Sequence, residues 1–138
     1  MEDLTYPAKV AVLKILNEIV NADKIVREKE VAYMEEVARS FELADNYNEE
    51  LNNIVTLQAL CVVRELAPAT KAKIAQLMGK MIVIDEDINY NEVKLYNMIC
   101  ELCNIENDFN IEDYPDYSLS GPFDNPEDMM NTVYENMI

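Results

Sequence analysis

The residues of this chain best placed to do chemistry are four carboxylates: Asp23 and Glu30, then Asp85 and Glu92. They belong to a pattern that occurs twice, 62 residues apart. The first copy reads I-V-N-A-D-K-I-V-R-E-K-E-V over 19–31, and the second reads M-I-V-I-D-E-D-I-N-Y-N-E-V over 81–93. In each, an apolar run precedes the Asp, a branched apolar residue (Val26 or Ile88) follows three positions on, and a Glu-Val pair closes the motif. The equivalence continues through Val37/Ile99, Ala38/Cys100 and Leu43/Ile105. Carboxylates on both sides of a loop, with carbonyl groups between them, are the oxygen donors that Ca²⁺ or Mg²⁺ takes, whereas zinc prefers nitrogen and sulfur. The second loop is the richer one, because Glu86 and Asp87 stand where the first has Lys24 and Ile25. Asp23, Glu30, Asp85, Asp87 and Glu92 therefore form the candidate metal set.

The same residues admit an account without a ligand. Glu30 and Glu92 would lie in the first turn of a helix, where a carboxylate gains about 0.3–1 kcal/mol from the dipole and the open N–H groups. Asp23 and Asp85 would accept from loop N–H groups in Asx-turns. Two carboxylates per loop also fall short of the roughly six to eight oxygens of a Ca²⁺ site unless the repeats pool ligands or waters fill the shell. The spacing does not match an EF-hand loop.

Composition removes many other chemistries. The chain has no His and no Trp, which excludes His-based triads, His-ligated metals and the usual neutral-pH general base. Paired carboxylates alone come with no nucleophile, oxyanion donor or phosphate loop, so the expectation is a protein that is not an enzyme. With 27 acidic against 11 basic residues, the net charge of −16 repels phosphate backbones and anionic lipid, which speaks against nucleic-acid binding. Lys94 is the last basic residue, so the final third carries a disproportionate share of that charge. No apolar run approaches the ~18 residues of a membrane span, so no direct membrane insertion is expected. The acidic start Met1-Glu2-Asp3 does not resemble a signal peptide, and the expected localisation is cytoplasmic. Cys61, Cys100 and Cys103 show no disulfide or zinc framework and read as buried reduced thiols.

The elements that must position the loops are helices. Two Gly and five Pro in 138 residues leave little punctuation. Helical periodicity predicts a helix from about Pro7 to Ala22 on Val10, Leu13, Leu16, Ile19 and Val20. A second spans about 28–41, with Val31, Met34, Val37, Ala38 and Phe41 on one face. One or two helices follow between Asn48 and Leu66, where Thr56 could interrupt. Another runs from Pro68 to about Ile84, with Lys71, Lys73 and Lys80 on a solvated face. The last of this body spans Tyr90 to Cys103, with Asn89 as N-cap and Glu92 three residues on. Beyond Asn104, prolines break an acidic, aromatic segment, and a short helix starting at Asn125-Pro126 is expected to end the chain. No segment alternates as a strand. The fold class is all-α: a compact multi-helix bundle with an internal helix-loop-helix duplication and a C-terminal extension. Residues 1–105 form the helical domain, with repeat units about 8–43 and 68–105, and 106–138 form an extension packed on the body.

The duplicated D-x-x-[IV]-x-x-x-E pattern, preceded by Ala22 in the first copy and Ile84 in the second and each time by an apolar helix, resembles the tellurite-resistance TerB-like family. It is also similar to the helical domain of membrane-linked DnaJ-type co-chaperones. The resemblance covers about residues 8–105. It implies a non-enzymatic helical module of stress-response or defence systems, acting through a protein partner and responsive to divalent metal through Asp23, Glu30, Asp85 and Glu92. The family usually carries Gly directly after each Asp, where this chain has Lys24 and Glu86. A second functional expectation comes from charge alone: a structural or regulatory adaptor that covers a basic partner with its acidic C-terminal third.

Overall fold

The computed structural model describes residues 4–22, 26–43 and 45–121. Six helices form the body: α1 (Tyr6–Val20), α2 (Glu28–Ser40), α3 (Tyr47–Asn52), α4 (Thr56–Arg64), α5 (Pro68–Val83) and α6 (Tyr90–Cys103). Two three-residue strands, β1 (Asp87–Asn89) and β2 (Ser118–Ser120), pair in parallel. Asp23, Lys24 and the expected final helix after Asn125 lie outside the described residues.

The fold is all-α and organised around α1. That helix is apolar nearly all round, from Ala8 through Val12, Ile15 and Leu16 to Val20, and these side chains are buried. Such a helix must be enclosed rather than laid on a surface, and α1 packs against every other helix of the body. Thr5 caps it through the Ala8 N–H, and Pro7 sits in its first turn. Between Asn48 and Leu66 the chain forms two helices, but Thr56 begins the second one rather than interrupting a single one. The break falls at 53–55, and the Gln58 side chain accepts from the Val55 N–H to start α4.

The duplication seen in the sequence is carried into three dimensions. Val12/Ile74, Leu16/Met78, Ile19/Met81 and Val20/Ile82 are buried in both units. Both units also end in the same way. Glu42 and Asn104 are left-handed, at φ 58° and 55°. Just beyond them, Leu43 N–H donates to the Ala38 carbonyl and Ile105 N–H to the Cys100 carbonyl. These are equivalent Schellman closures. Lys9 Nζ donates to the Phe41 carbonyl at the end of α2, 3.1 Å away. The equivalent Lys71 lies near Cys103 at the end of α6, where a cation favours the helix C-terminus.

Three sequence expectations fail here. Val26 and Val31 are exposed, although their equivalents Ile88 and Val93 are buried. In the second unit β1 is covered by a strand from beyond the repeat. Among the described residues the start of α2 has no such cover. Lys71 is buried rather than solvated, because it lies over the end of α6. Cys61 is exposed, since it shares the outer face of α4 with Leu57.

Segment 106–121 crosses the body as an aromatic ladder. Tyr96 on α6, then Phe109, Tyr114 and Tyr117 are spaced 5.7, 5.9 and 5.2 Å between successive ring centroids. Ile111 and the three ladder residues of this segment are half-buried against the core. At Gly121, φ is +112°, and an added Cβ would stand 3.2 Å from the Tyr90 backbone nitrogen. Glycine is required there both for its backbone conformation and for its lack of a side chain.

Candidate functional site

Arg27, at the start of α2, meets the second loop. Its position immediately before α2 makes it the N-cap, with Glu30 at the third helical position. The Glu30 carboxylate accepts from the Arg27 N–H at 3.2 Å, holding the first turn. From there the guanidinium reaches the second loop. Nε lies 3.0 Å from Asp85 Oδ2, Nη2 3.6 Å from Asp87 Oδ2, and Nη1 3.8 Å from Glu30 Oε1. Three of the five carboxylates expected to bind metal thus converge on one protein cation.

Asp85 also makes the Asx-turn expected of it, accepting from the Asp87 N–H at 3.3 Å. Between them Glu86 is left-handed, at φ 61°. This is the position where the TerB-like pattern usually has Gly, the residue that enters this region without a Cβ penalty. Asn89 caps α6 as expected, accepting from the Asn91 and Glu92 N–H groups at 2.8 and 3.3 Å. Glu30 and Glu92 occupy matching first-turn positions and are almost fully enclosed, each 1% exposed.

Asp87 has a second task. Its Oδ1 accepts from the Ser118 hydroxyl and its Oδ2 from the Ser120 hydroxyl, each at 2.6 Å. The hydroxyl bonds sit on the parallel register Asp87↔Ser118 and Asn89↔Ser120. Burial pushes the Asp87 carboxyl up, but the two hydroxyls and Arg27 together outweigh it, leaving the group below 3.8. Asp87 is therefore the point where the start of α2, the second loop and the C-terminal segment are fastened together.

Arg27, Ser118 and Ser120 are the functional residues that the sequence did not single out. Arg27 carries a weak signal, standing three residues before a first-turn Glu. The serines carry none, since their partner lies some thirty residues away and the strand is only three residues long.

Among the described residues no group of three or more His, Cys, Asp or Glu is arranged to hold a metal ion. The buried thiols are not nucleophiles at neutral pH: burial pushes Cys100 and Cys103 up to about 11. Open clefts lie elsewhere. One of about 360 Å³ separates α2 from α5, where Lys80 stands over the Tyr33 ring at 5.2 Å. Another, of about 270 Å³, lies between α5 and residues 108–114. Among the described residues no helix is long and apolar enough to cross a membrane.

No sequence-family model matches the chain, and no curated protein matches it significantly. Among solved structures, the fold is similar to the crystal structure of PG1108, a protein of unknown function from Porphyromonas gingivalis W83. The TM-score is 0.65 at 21% identity, over 97% of this chain and 92% of that one. At that identity the likeness concerns the fold.

Proposed function

We propose that this protein is a non-catalytic, TerB-like interaction module that presents its acidic C-terminal segment as a fixed surface to a basic protein partner. The observation carrying this reading is the use of Asp87. Its carboxylate is engaged by Arg27, Ser118 and Ser120, so the second loop, with Arg27 from the start of α2, serves to clamp the 106–121 segment to the helical body. The clamped segment presents Glu106, Glu112, Asp113 and Asp116 on its exposed side. In a chain of net charge −16 such a surface steers cationic partners and repels nucleic acid. Support for the TerB-like assignment comes from the in-register duplication down to both helix closures, and from the left-handed Glu86 where that pattern has Gly.

The test is calorimetric titration of the full chain with a Lys/Arg-rich peptide, and separately with Ca²⁺ and Mg²⁺. Peptide binding that weakens steeply with salt, and falls at least tenfold in the triple variant Glu106→Gln, Glu112→Gln, Asp116→Asn, is the expected result. Peptide heats that are absent at low salt would refute the reading. Metal heats that disappear in Asp85→Asn would move the function to the loops.

A further inference from the structure

The chain's three thiols stand together where α4 packs on the end of α6. Cys103 Sγ donates to the Leu60 carbonyl at 3.5 Å. That carbonyl belongs to the peptide plane leading into Cys61, so the Cys103 sulfur lies against the backbone of Cys61. Further along α4, Arg64 Nη1 donates to the Leu102 carbonyl at 3.1 Å, pinning the two helices at this contact. The Cys61 and Cys103 thiols are also close enough to feel each other's charge. Their environments differ, because Cys61 is exposed and Cys103 is wholly buried. Cys100, also buried, is hydrogen-bonded to Tyr96 on its own helix.

An accessible thiol beside a second, sheltered one is the arrangement of redox-sensing cysteines. We infer that Cys61 and Cys103 form a peroxide-responsive pair, in which Cys61 is oxidised from solvent and Cys103 closes a disulfide onto it. In the first step the Cys61 sulfur attacks a peroxide oxygen. The O–O bond breaks, hydroxide leaves as water with the thiol's proton, and Cys61 becomes a sulfenic acid. In the second step the Cys103 sulfur attacks the Cys61 sulfur. The S–S bond forms, the S–O bond breaks, and the hydroxyl leaves as water with the Cys103 proton. Two thiols and one peroxide thus give one disulfide and two waters. Cys103 faces Arg64 and Cys61 from α4, Lys71 from α5 and Cys100 from its own helix. Burial outweighs the two cations and pushes its thiol up to about 11. It is therefore inert toward reagents in solution, but against an oxidised Cys61 held beside it a small thiolate fraction suffices. Closure accordingly accelerates about tenfold per pH unit below that value.

The test treats the reduced full chain with a few equivalents of hydrogen peroxide and follows it by intact mass, peptide mapping and dimedone capture. The expected product has lost two hydrogens, maps as a Cys61–Cys103 linked peptide within one chain, and returns to the starting mass with dithiothreitol. Its formation from the sulfenic acid should quicken about tenfold from pH 7 to pH 8. Cys61→Ser should oxidise at least tenfold more slowly than wild type. Cys103→Ala should stop at a sulfenic acid that dimedone traps on Cys61; where that variant folds poorly, the wild-type map alone decides. A wild-type sulfenic acid that never closes, a Cys100–Cys103 bond, or a Cys61–Cys61 bond between two chains would each overturn the pairing.

Discussion

Replacing Asp87 should loosen the clamp by an amount that can be worked out from its contacts. Asp87→Ala removes the acceptor of two 2.6 Å hydroxyl bonds and a guanidinium contact at 3.6 Å. Hydrogen bonds to a charged group contribute about 1.5–3 kcal/mol each when well buried. Here Ser118 is exposed and the Asp87 side chain is 22% exposed, so screening brings each hydroxyl bond down to about 1 kcal/mol. The longer Arg27 contact adds about 0.5 kcal/mol on the same ground. The expected loss is about 2–3 kcal/mol, a fall in melting temperature of roughly 5–10 °C for a domain of this size. Asp87→Asn keeps one acceptor and should lose about half as much. The coupling between Asp87→Ala and the pair Ser118→Ala, Ser120→Ala, from a double-mutant cycle, should reach about 1 kcal/mol.

The acid dependence has a definite sign. Because the folded carboxyl lies below 3.8, the contribution of Asp87 is complete at pH values above the unfolded value and is lost as pH falls through the folded one. Wild type should therefore lose stability more steeply than Asp87→Asn in the acid range beneath about pH 4. Urea denaturation of both proteins across that range is the assay. A loss below about 0.5 kcal/mol for Asp87→Ala, which is the scatter of ordinary surface substitutions, would show that the hydroxyl and guanidinium contacts hold nothing together.

Further outcomes follow from backbone and burial. Glu86 is left-handed without being glycine, so Glu86→Gly should stabilise by about 0.5–1 kcal/mol after the unfolded-state entropy of glycine is subtracted. Glu86→Gln, which removes only the charge, should not reproduce that gain in a thermal melt. Thiol titration of the native protein at pH 7 should modify Cys61 quickly, while Cys100 and Cys103 react only on unfolding, because burial keeps both protonated. Rapid reaction of all three would contradict the packing of α6. Lys9→Met removes the cation from the end of α2 and its bond to the Phe41 carbonyl, and should cost about 1 kcal/mol in urea denaturation.

The helices were legible in the sequence because apolar spacing of 3.6 is a local signal. Val10, Leu13, Leu16 and Ile19 mark α1, and Val93, Tyr96, Ile99 and Cys103 mark α6, and all are buried. The duplicated pattern located the second loop, the Asn89 cap and the Asp85 turn, since caps and turns depend on neighbours only a few residues away. Exposure was harder to read. Val26 and Val31 carry the residue types of their buried equivalents, but whether a third element covers a helix face is decided by chain topology. The parallel strand pair was illegible for the same reason: three residues are too few for alternation, and Ser118 acquires its meaning only opposite Asp87. For the candidate site, sequence pattern identified the carboxylates but not the guanidinium on which three of them converge. An arginine three residues before a glutamate is a common local arrangement, and its reach to the second loop depends on how the two units pack.

The most direct test of the account is a hydrogen-exchange map of the full chain with and without a saturating Lys/Arg-rich peptide. The account predicts added protection across 106–121 and unchanged exchange at Arg27–Glu30 and Asp85–Glu92. Protection confined to the two loops, with 106–121 unaltered, would contradict it.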